Sequence, residues 1–376
     1  MGWHYEAERL DGAGNGELIA SELPLQNVSI TQTLSGPDSM SATVSPAIGR
    51  LKDDDGLPLL SGDWSTAIYA IEDTEIAAGV ILDQPRFNGP NFGLEGGGFA
   101  GYAYGMPYTA SNFWVKIDYA DAFRQIWTHL QSQPGGNLGL EVDAETMTGK
   151  TIGTELKQGE FDTINGPLTF EDGPWRLAWY QTSDLGAEMD KLVQQAPMDW
   201  RERHQYTNDG SHIRHFIDLG YPKIGRVIND LRFVIGENVA IPEIADHGEI
   251  YANEWLQLGA GEGSAMVRGS SSAPRRGLRR VRVGTDKTLK TVASANSSAS
   301  LNLRKAANIR DVTSLTLFDH PNAPSGSVRV GDELLLEGRV DWTEISMWVR
   351  VTSRTITPGN LASVQLNVTR TDRMAG

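Results

Sequence analysis

Apolar residues along this chain alternate with polar ones far more often than they recur at helical spacing. Over Asn27–Leu34 (NVSITQTL) and Met40–Val44 (MSATV), small polar and apolar residues take turns around Ser35-Gly36-Pro37-Asp38, the pattern of a hairpin. Trp64–Ile71 and Glu75–Leu82 predict a second pair, turned at Glu72-Asp73-Thr74. Gly93–Ala103 is dense in glycine, with Phe99 and Tyr102 interleaved and Tyr104 just beyond. It fits a bulged strand or a barrel corner. Short strands at regular intervals predict a sandwich or barrel over residues 1–112.

The period then changes. Phe123, Ile126, Trp127 and Leu130 fall on one face of a helix predicted over Tyr119–Gln131, capped by Asp118 and ended by Pro134-Gly135-Gly136. A second helix follows Trp175–Gln181, with Ser183 as its cap, Leu185, Met189, Leu192 and Val193 as its stripe, and Pro197 as its stop. Asp199–Leu219 reads as a hairpin turned at Asn208-Asp209-Gly210. From His212 to Gly263 lies a structural seam. Its β-branched runs Ile213–Leu219 and Leu231–Ile235 are each closed by glycine, and it carries no catalytic signature. Ala273–Arg310 is polar and rich in Ser, Ala and Asn, with a short helix predicted at Thr291–Ser300. Asp311–Phe318, Ser327–Leu336, Trp348–Thr357 and Ser363–Thr369 return to strand pattern, with turns at Ser325-Gly326, Val330-Gly331-Asp332 and Pro358-Gly359-Asn360.

The expected architecture is therefore a multidomain, β-rich α+β protein, with two β-barrel-like domains around a mixed middle. Residues 1–112 form the first, 113–250 the mixed α/β part, and 251–376 a basic arm followed by the second β domain. A chain of 376 residues, 39% hydrophobic, is long enough for several such units.

Composition removes several chemistries. Cysteine is absent, so disulfides, thiolate metal sites and a cysteine nucleophile are excluded. The opening MGWHYEAERLDGAG lacks the apolar core of a signal peptide, and no run of about 18 apolar residues occurs. A soluble product of a cytoplasm, without a membrane span, is expected. Net charge is −15 but uneven. Between Arg268 and Arg310 eleven basic residues face only Asp286, giving +10 there and −25 elsewhere. An acidic body repels nucleic acid, and the basic segment contains no Phe, Tyr or Trp on which bases could stack. It reads as a mobile inter-subunit arm carrying Arg268, Arg275, Arg276, Arg279, Arg280 and Arg282, docking on acidic surface.

Candidate sites are few. Gly12-x-Gly14-x-Gly16 and Gly259-x-Gly261-x-Gly263 lack the strand–helix setting and the Lys-Ser/Thr of a phosphate loop, and read as turns. His212 and His215, three apart on a strand, point to opposite faces. His204 lies across the hairpin from His212, without a third metal ligand. Lys52-Asp53-Asp54-Asp55-Gly56 lacks the ligand alternation of a calcium loop and reads as a solvated acidic turn. Glu141, Asp143 and Glu145 have no framework to set a glycosidase spacing, and no G-x-S-x-G elbow exists. No catalytic, cofactor-binding or metal residue is assigned, and the chain reads as a non-enzyme. The ten Trp are expected in cores or interfaces, with sugar platforms as the other reading.

LGYPKIG at Leu219–Gly225, GENV at Gly236–Val239 and ANEWLQLGAGEG at Ala252–Gly263 resemble the minor tail proteins of long-tailed (siphovirus) phages of actinobacteria. So do PGGNLGL at Pro134–Leu140, VRVGDELLL at Val328–Leu336 and WVRVTSRTITP at Trp348–Pro358. The resemblance runs from about residue 20 onward and rests on turn and strand patterns. It implies a baseplate-hub-like tail hub in the virion: a homotrimer at the distal end of the tail, whose two barrel-like domains per subunit present a pseudo-sixfold ring to a hexameric tube. Its implied partners are copies of itself, the distal tail or tail tube protein, the tape measure protein and other minor tail proteins. Barrels in such hubs are discontinuous in sequence, which implies that the 199–219 hairpin returns to the first barrel, and DNA passes through without specific binding. No cofactor is implied. A carbohydrate-binding receptor-recognition protein and a cell-wall hydrolase remain as alternatives.

Overall fold

A computed structural model of the chain describes residues 2–14, 16–52, 56–88, 91–155, 157–163, 166–181, 184–242, 245–246, 248–249, 251–274, 277–307, 310–340, 343–359 and 363–371. The first β unit holds Trp3–Leu10 (β1), Gly16–Ala20 (β2), Gln26–Thr33 (β3), Ser39–Val44 (β4), Thr66–Glu72 (β5), Glu75–Leu82 (β6) and Asn91–Gly98 (β7). Alternation built these strands. Met40, Ala42 and Val44 are buried on β4 while Ser39 and Ser41 face out. The strands run antiparallel in the order β2-β1-β5-β6-β7-β4-β3. β5 is apolar on both faces because it has cores on both sides. Ile68 and Ala70 join the core of the first unit, and Ala67, Tyr69 and Ile71 join that of the middle.

The middle is built on two helices, Tyr119–Ser132 (α1) and Leu185–Gln195 (α2). Asp118 caps α1 as expected, accepting from the Ala120 N–H at 2.9 Å. The predicted cap of α2, Ser183, lies outside the described residues. Asp184 fills that role, accepting from the Ala187 N–H at 3.1 Å. Leu140–Val142 (β8) runs parallel to Ile213–Gly220 (β10), which is paired antiparallel with Asp199–Tyr206 (β9). The hairpin therefore hydrogen-bonds to the middle through β8, while Trp200, Glu202 and His204 are buried on its inward face toward the first unit.

The second β unit comprises Val227–Val234 (β11), then, beyond an insertion, Ser314–Phe318 (β15), Glu333–Val340 (β16), Thr343–Ile356 (β17) and Ser363–Arg370 (β18). β11 lies parallel to β16, and β16, β17, β18 and β15 follow antiparallel. After β11 the chain crosses to the outer edge of β15. There Phe318 N–H donates to Asn238 O at 2.8 Å and Ala240 N–H to Thr316 O at 2.9 Å, giving a barrel-like closure around Phe233, Leu334, Leu336, Val349 and Leu366. The two runs of the seam thus belong to different sheets. Ile213–Leu219 serves the middle, and Leu231–Ile235 pairs with residues a hundred positions later.

β17 sews the β units together. Thr343–Arg350 pair with β16, Val349–Thr355 with β18 across an irregularity between Val351 and Ser353, and Ser353–Ile356 with β3. Among the described residues this makes one thirteen-stranded sheet with β2 at one end of the order and β11 at the other.

The insertion corrects one expectation. In place of a loose arm, the basic stretch contributes strands Arg268–Ser272 (β13) and Val281–Thr285 (β14) on either side of Glu254–Leu258 (β12), and the helix Val292–Ala307 (α3). The stripe of α3 is small, with Ala295, Ala299, Leu303 and Ala306 buried, so the helix can lie close to the sheet. It does so over Gly269, where a Cβ would overlap the backbone of Ala295 and Asn296. Gly269→Ala is expected to cost about 1–3 kcal/mol by overpacking and to speed amide exchange in β13 and α3. Exchange rates equal to those of the wild type would refute that tight contact.

Candidate functional site

The hairpin brings His204 opposite His215, not His212. His212 sits in the turn that sets this register, where its carbonyl accepts from Thr207 N–H at 2.8 Å. The two imidazoles meet Nδ1 to Nδ1 at 3.0 Å. Room for them comes from glycines of the first unit. A Cβ at Gly98 would overlap the Glu202 carboxyl, and one at Gly79 would crowd the Tyr69 and His204 rings.

These side chains form one buried polar chain across the boundary between the first unit and the middle. His215 Nε2 lies 3.5 Å from the Tyr69 hydroxyl, which donates to Glu8 Oε2 at 3.0 Å, while Glu202 Oε2 and His204 Nε2 face each other at 3.9 Å, too far for a hydrogen bond, and neither has another partner among the described residues. Asp38 N–H donates to Glu202 Oε1 at 3.1 Å, and Asp38 itself accepts from Thr33 N–H at 2.8 Å. Donor counting then fixes the protons. Because the Tyr69 hydroxyl gives its hydrogen to Glu8, His215 must donate from Nε2 and leave Nδ1 bare. His204 accordingly carries its hydrogen on Nδ1, and its bare Nε2 faces a carboxyl oxygen that would repel it when ionised. Burial raises Glu202 well above the usual carboxylate range, and the charge of Asp38 adds to this. Burial also lifts Asp38 to about 7, lowers His204 well below the ordinary imidazole value and takes His215 to about 4. At pH 7 Glu202 is held toward its protonated form and both imidazoles toward neutrality, while Asp38 is near its midpoint.

Such an acid and imidazole could serve general acid–base work only if substrate reached them. They lie beneath a cleft of about 500 Å³ lined also by Gln32, Arg201, Arg329 and Arg354. The Glu202 side chain is 0% exposed and that of His204 3%, so the cleft presents neither to solvent. Among the described residues no group of three His, Asp or Glu is placed to hold a metal ion.

A second buried polar cluster ties the middle to the last unit. Arg350 on β17 donates to Ile224 O at 2.7 Å, to Gly331 O at 3.0 Å and to the Asp199 carboxylate on β9. Asp199 also accepts from Ile224 N–H at 2.9 Å. Gly225 and Gly331 touch backbone to backbone with φ of +95° and +92°, a conformation and a spacing that no side chain fits.

The other sequence candidates resolve as structure. Glu141 pairs with Arg214, and Asp143 accepts from the Glu145 and Thr146 amides. Gly12, Gly14, Gly261 and Gly263 take positive φ as turn residues. Asp53-Asp54-Asp55 lies outside the described residues. Of the six arginines, Arg268 opens β13, Arg279 pairs with Glu254 at 2.8 Å, and Arg280 and Arg282 flank Val281 at the start of β14. Arg275 and Arg276 lie outside the described residues. Trp127 and Trp200 are core residues, whereas Phe113, Trp179 and Tyr180 are more than half exposed. Asp38, Tyr69, Glu202, Asp199 and Arg350 were missed from sequence. The available signal was polar Glu202 and His204 sharing a strand face with Trp200.

The fold has counterparts among solved structures. The 43 kDa tail protein of prophage MuSo2 from Shewanella oneidensis superposes over 100% of both chains with a TM-score of 0.61 at 9% identity. A tail protein from Neisseria meningitidis does so over 99% of this chain and 97% of its own, with a TM-score of 0.53 at 13% identity. Prophage tail protein gp18 from Listeria monocytogenes gives 98% and 95%, with a TM-score of 0.54 at 8% identity. No family model and no curated protein sequence matches the chain.

Proposed function

We propose that this chain is a structural subunit of a phage tail, a hub at the distal end of the tail tube in the virion. One observation carries the reading: its fold runs end to end along tail proteins, with little left over in either chain. Three copies would close into a ring in which the two β units of each subunit alternate, adapting a hexameric tube to a trimeric tip. β17 supports this, because hydrogen bonds through it fix one unit against the other in a way a flexible linker would not. The partners are then the distal tail or tail tube protein, the tape measure protein and other minor tail proteins. Kinship with siphoviruses of actinobacteria belongs to the same reading.

The ring would pass DNA without holding it. A net charge of −25 outside Arg268–Arg310 supplies a wall that repels phosphates. Co-expression with the tube and tape measure proteins, followed by electron microscopy of labelled particles, is expected to place the chain at the tube end. Labels elsewhere on the particle, or an assembled channel with a basic wall, would sink the proposal.

A second reading, glycan recognition at the tail tip, is favoured by the exposed Trp179 and Tyr180, whose rings meet edge to face at 5.6 Å. Binding on a glycan array, abolished by Trp179→Ala, would establish it.

A further inference from the structure

The fold leaves two open strand edges of opposite charge. β2 is hydrogen-bonded to β1 on one flank, and among the described residues no strand pairs with its other flank. Among the described residues β14 is the outer strand of the insertion, bonded to β12 on one side only, and α3 packs over β13 and β12 rather than over it. Open edges of this kind template the addition of a further strand.

Their chemistry differs. On β2, Glu17 is exposed and Leu18 is 54% exposed. From Leu10 to Gly49 the chain has Asp11, Glu17, Glu22 and Asp38 and no Lys or Arg, and the cation nearest Glu17 in the register is Arg9, its cross-strand partner on β1. On β14, Val281 and Val283 are 41% and 58% exposed, with Arg279, Arg280, Arg282 and Lys287 around them. Arg282 and Lys287 meet the backbone carbonyls of Glu249 and Gly261, which leaves their charge available to a carboxylate.

The two edges also stand apart in the strand order. β2 closes one end of the thirteen-stranded sheet. The insertion is rooted at the other, through the short ribbon of Ala245–Asp246 with Arg310–Asp311 that follows β11 and precedes β15. We infer that β2 of one copy adds in parallel to β14 of the next, setting Glu17 beside Arg282 and Leu18 beside Val283. Both strands are five residues long, and full parallel overlap also sets Glu22 beside Lys287. Full antiparallel overlap keeps Leu18 by Val283 but places Glu17 against Gly284 and Ile19 against Arg282, losing the charge pairing. The contact joins two different patches, so successive copies close into a ring when the rotation allows. This deepens the trimeric reading above and rests on it.

The absence of cysteine makes the test clean. Full-length Leu18→Cys and Val283→Cys variants are mixed and oxidised. The expected result is a covalent dimer at least about ten-fold more abundant than from either variant alone, the mark of a heterologous contact. Equal dimer from one variant alone, a link formed within one chain of the double variant, or no link in the mixture would each overturn the pairing. Glu17→Arg is expected to weaken assembly about ten-fold or more, and Arg282→Glu in the same chain to restore it. A trimer by light scattering whose cysteines stay unlinked overturns the edge pairing and leaves the ring reading standing. A chain that remains a lone subunit even with its tail partners overturns both.

Discussion

Replacing Arg350 with methionine is expected to cost about 3–5 kcal/mol of stability, the largest single effect at any position considered. The side chain is buried on β17 and has three acceptors, two of them carbonyls in the Ile224–Gly225 and Gly331 loops and the third the Asp199 carboxylate. Removing it strands a charge that is mostly withdrawn from water and leaves two carbonyls short of a donor. The cost comes from this imbalance, since deleting both partners of a buried pair is far milder than deleting one. Asp199→Asn added to Arg350→Met should therefore recover much of the loss, because the amide oxygen can still accept from Ile224 N–H. Urea denaturation of the wild type, both single variants and the double completes the cycle. A loss below about 1 kcal/mol for Arg350→Met, or a double variant no better than the single, would mean that the clamp holds nothing.

Such clamps explain what could and could not be read in the chain. Strands such as β4 were legible because burial on one face imposes a period of two within the strand itself. The start of α1 was legible because its cap is local, with Asp118 two residues from the amide it serves. α3 escaped as a long helix because its buried stripe is mostly alanine, chosen for close approach to Gly269 and too weak a signal against Ser and Asn. The basic stretch looked like an arm for a related reason, its strands being short and solvent-facing. The polar chain was hidden by distance. Tyr69 meets His215 across 146 residues, and the glycines that admit Glu202 and His204 belong to another unit. β17 shows the same limit, since nothing within Ser353–Ile356 announces that its partner is Thr33–Ile30.

The polar chain gives the second large effect, read as a change in how stability varies with pH. Glu202 and Asp38 hold protons in the folded state that the unfolded chain releases, because burial raises both. Their contribution is complete below the ordinary carboxylate range and is lost as pH rises toward their folded values, which for Asp38 is about 7. His204 and His215 act in the opposite sense. Lowered by burial, they contribute above the ordinary imidazole value of about 6.5 and lose that contribution as pH falls, for His215 toward about 4. Between about pH 4.5 and 6.5 the two acids and the two imidazoles oppose one another, and the wild type should be nearly flat there. Glu202→Gln keeps an acceptor for Asp38 N–H and the size of the side chain but has no proton to lose. The variant should therefore gain on the wild type by about 1.4 kcal/mol for each pH unit above the carboxylate range, until the buried acid itself ionises. It should also show the histidine slope that the wild type conceals, becoming steadily less stable from pH 6.5 down to 4. Guanidinium denaturation at half-unit steps measures both. Parallel curves for wild type and variant would mean that Glu202 is ionised in the fold.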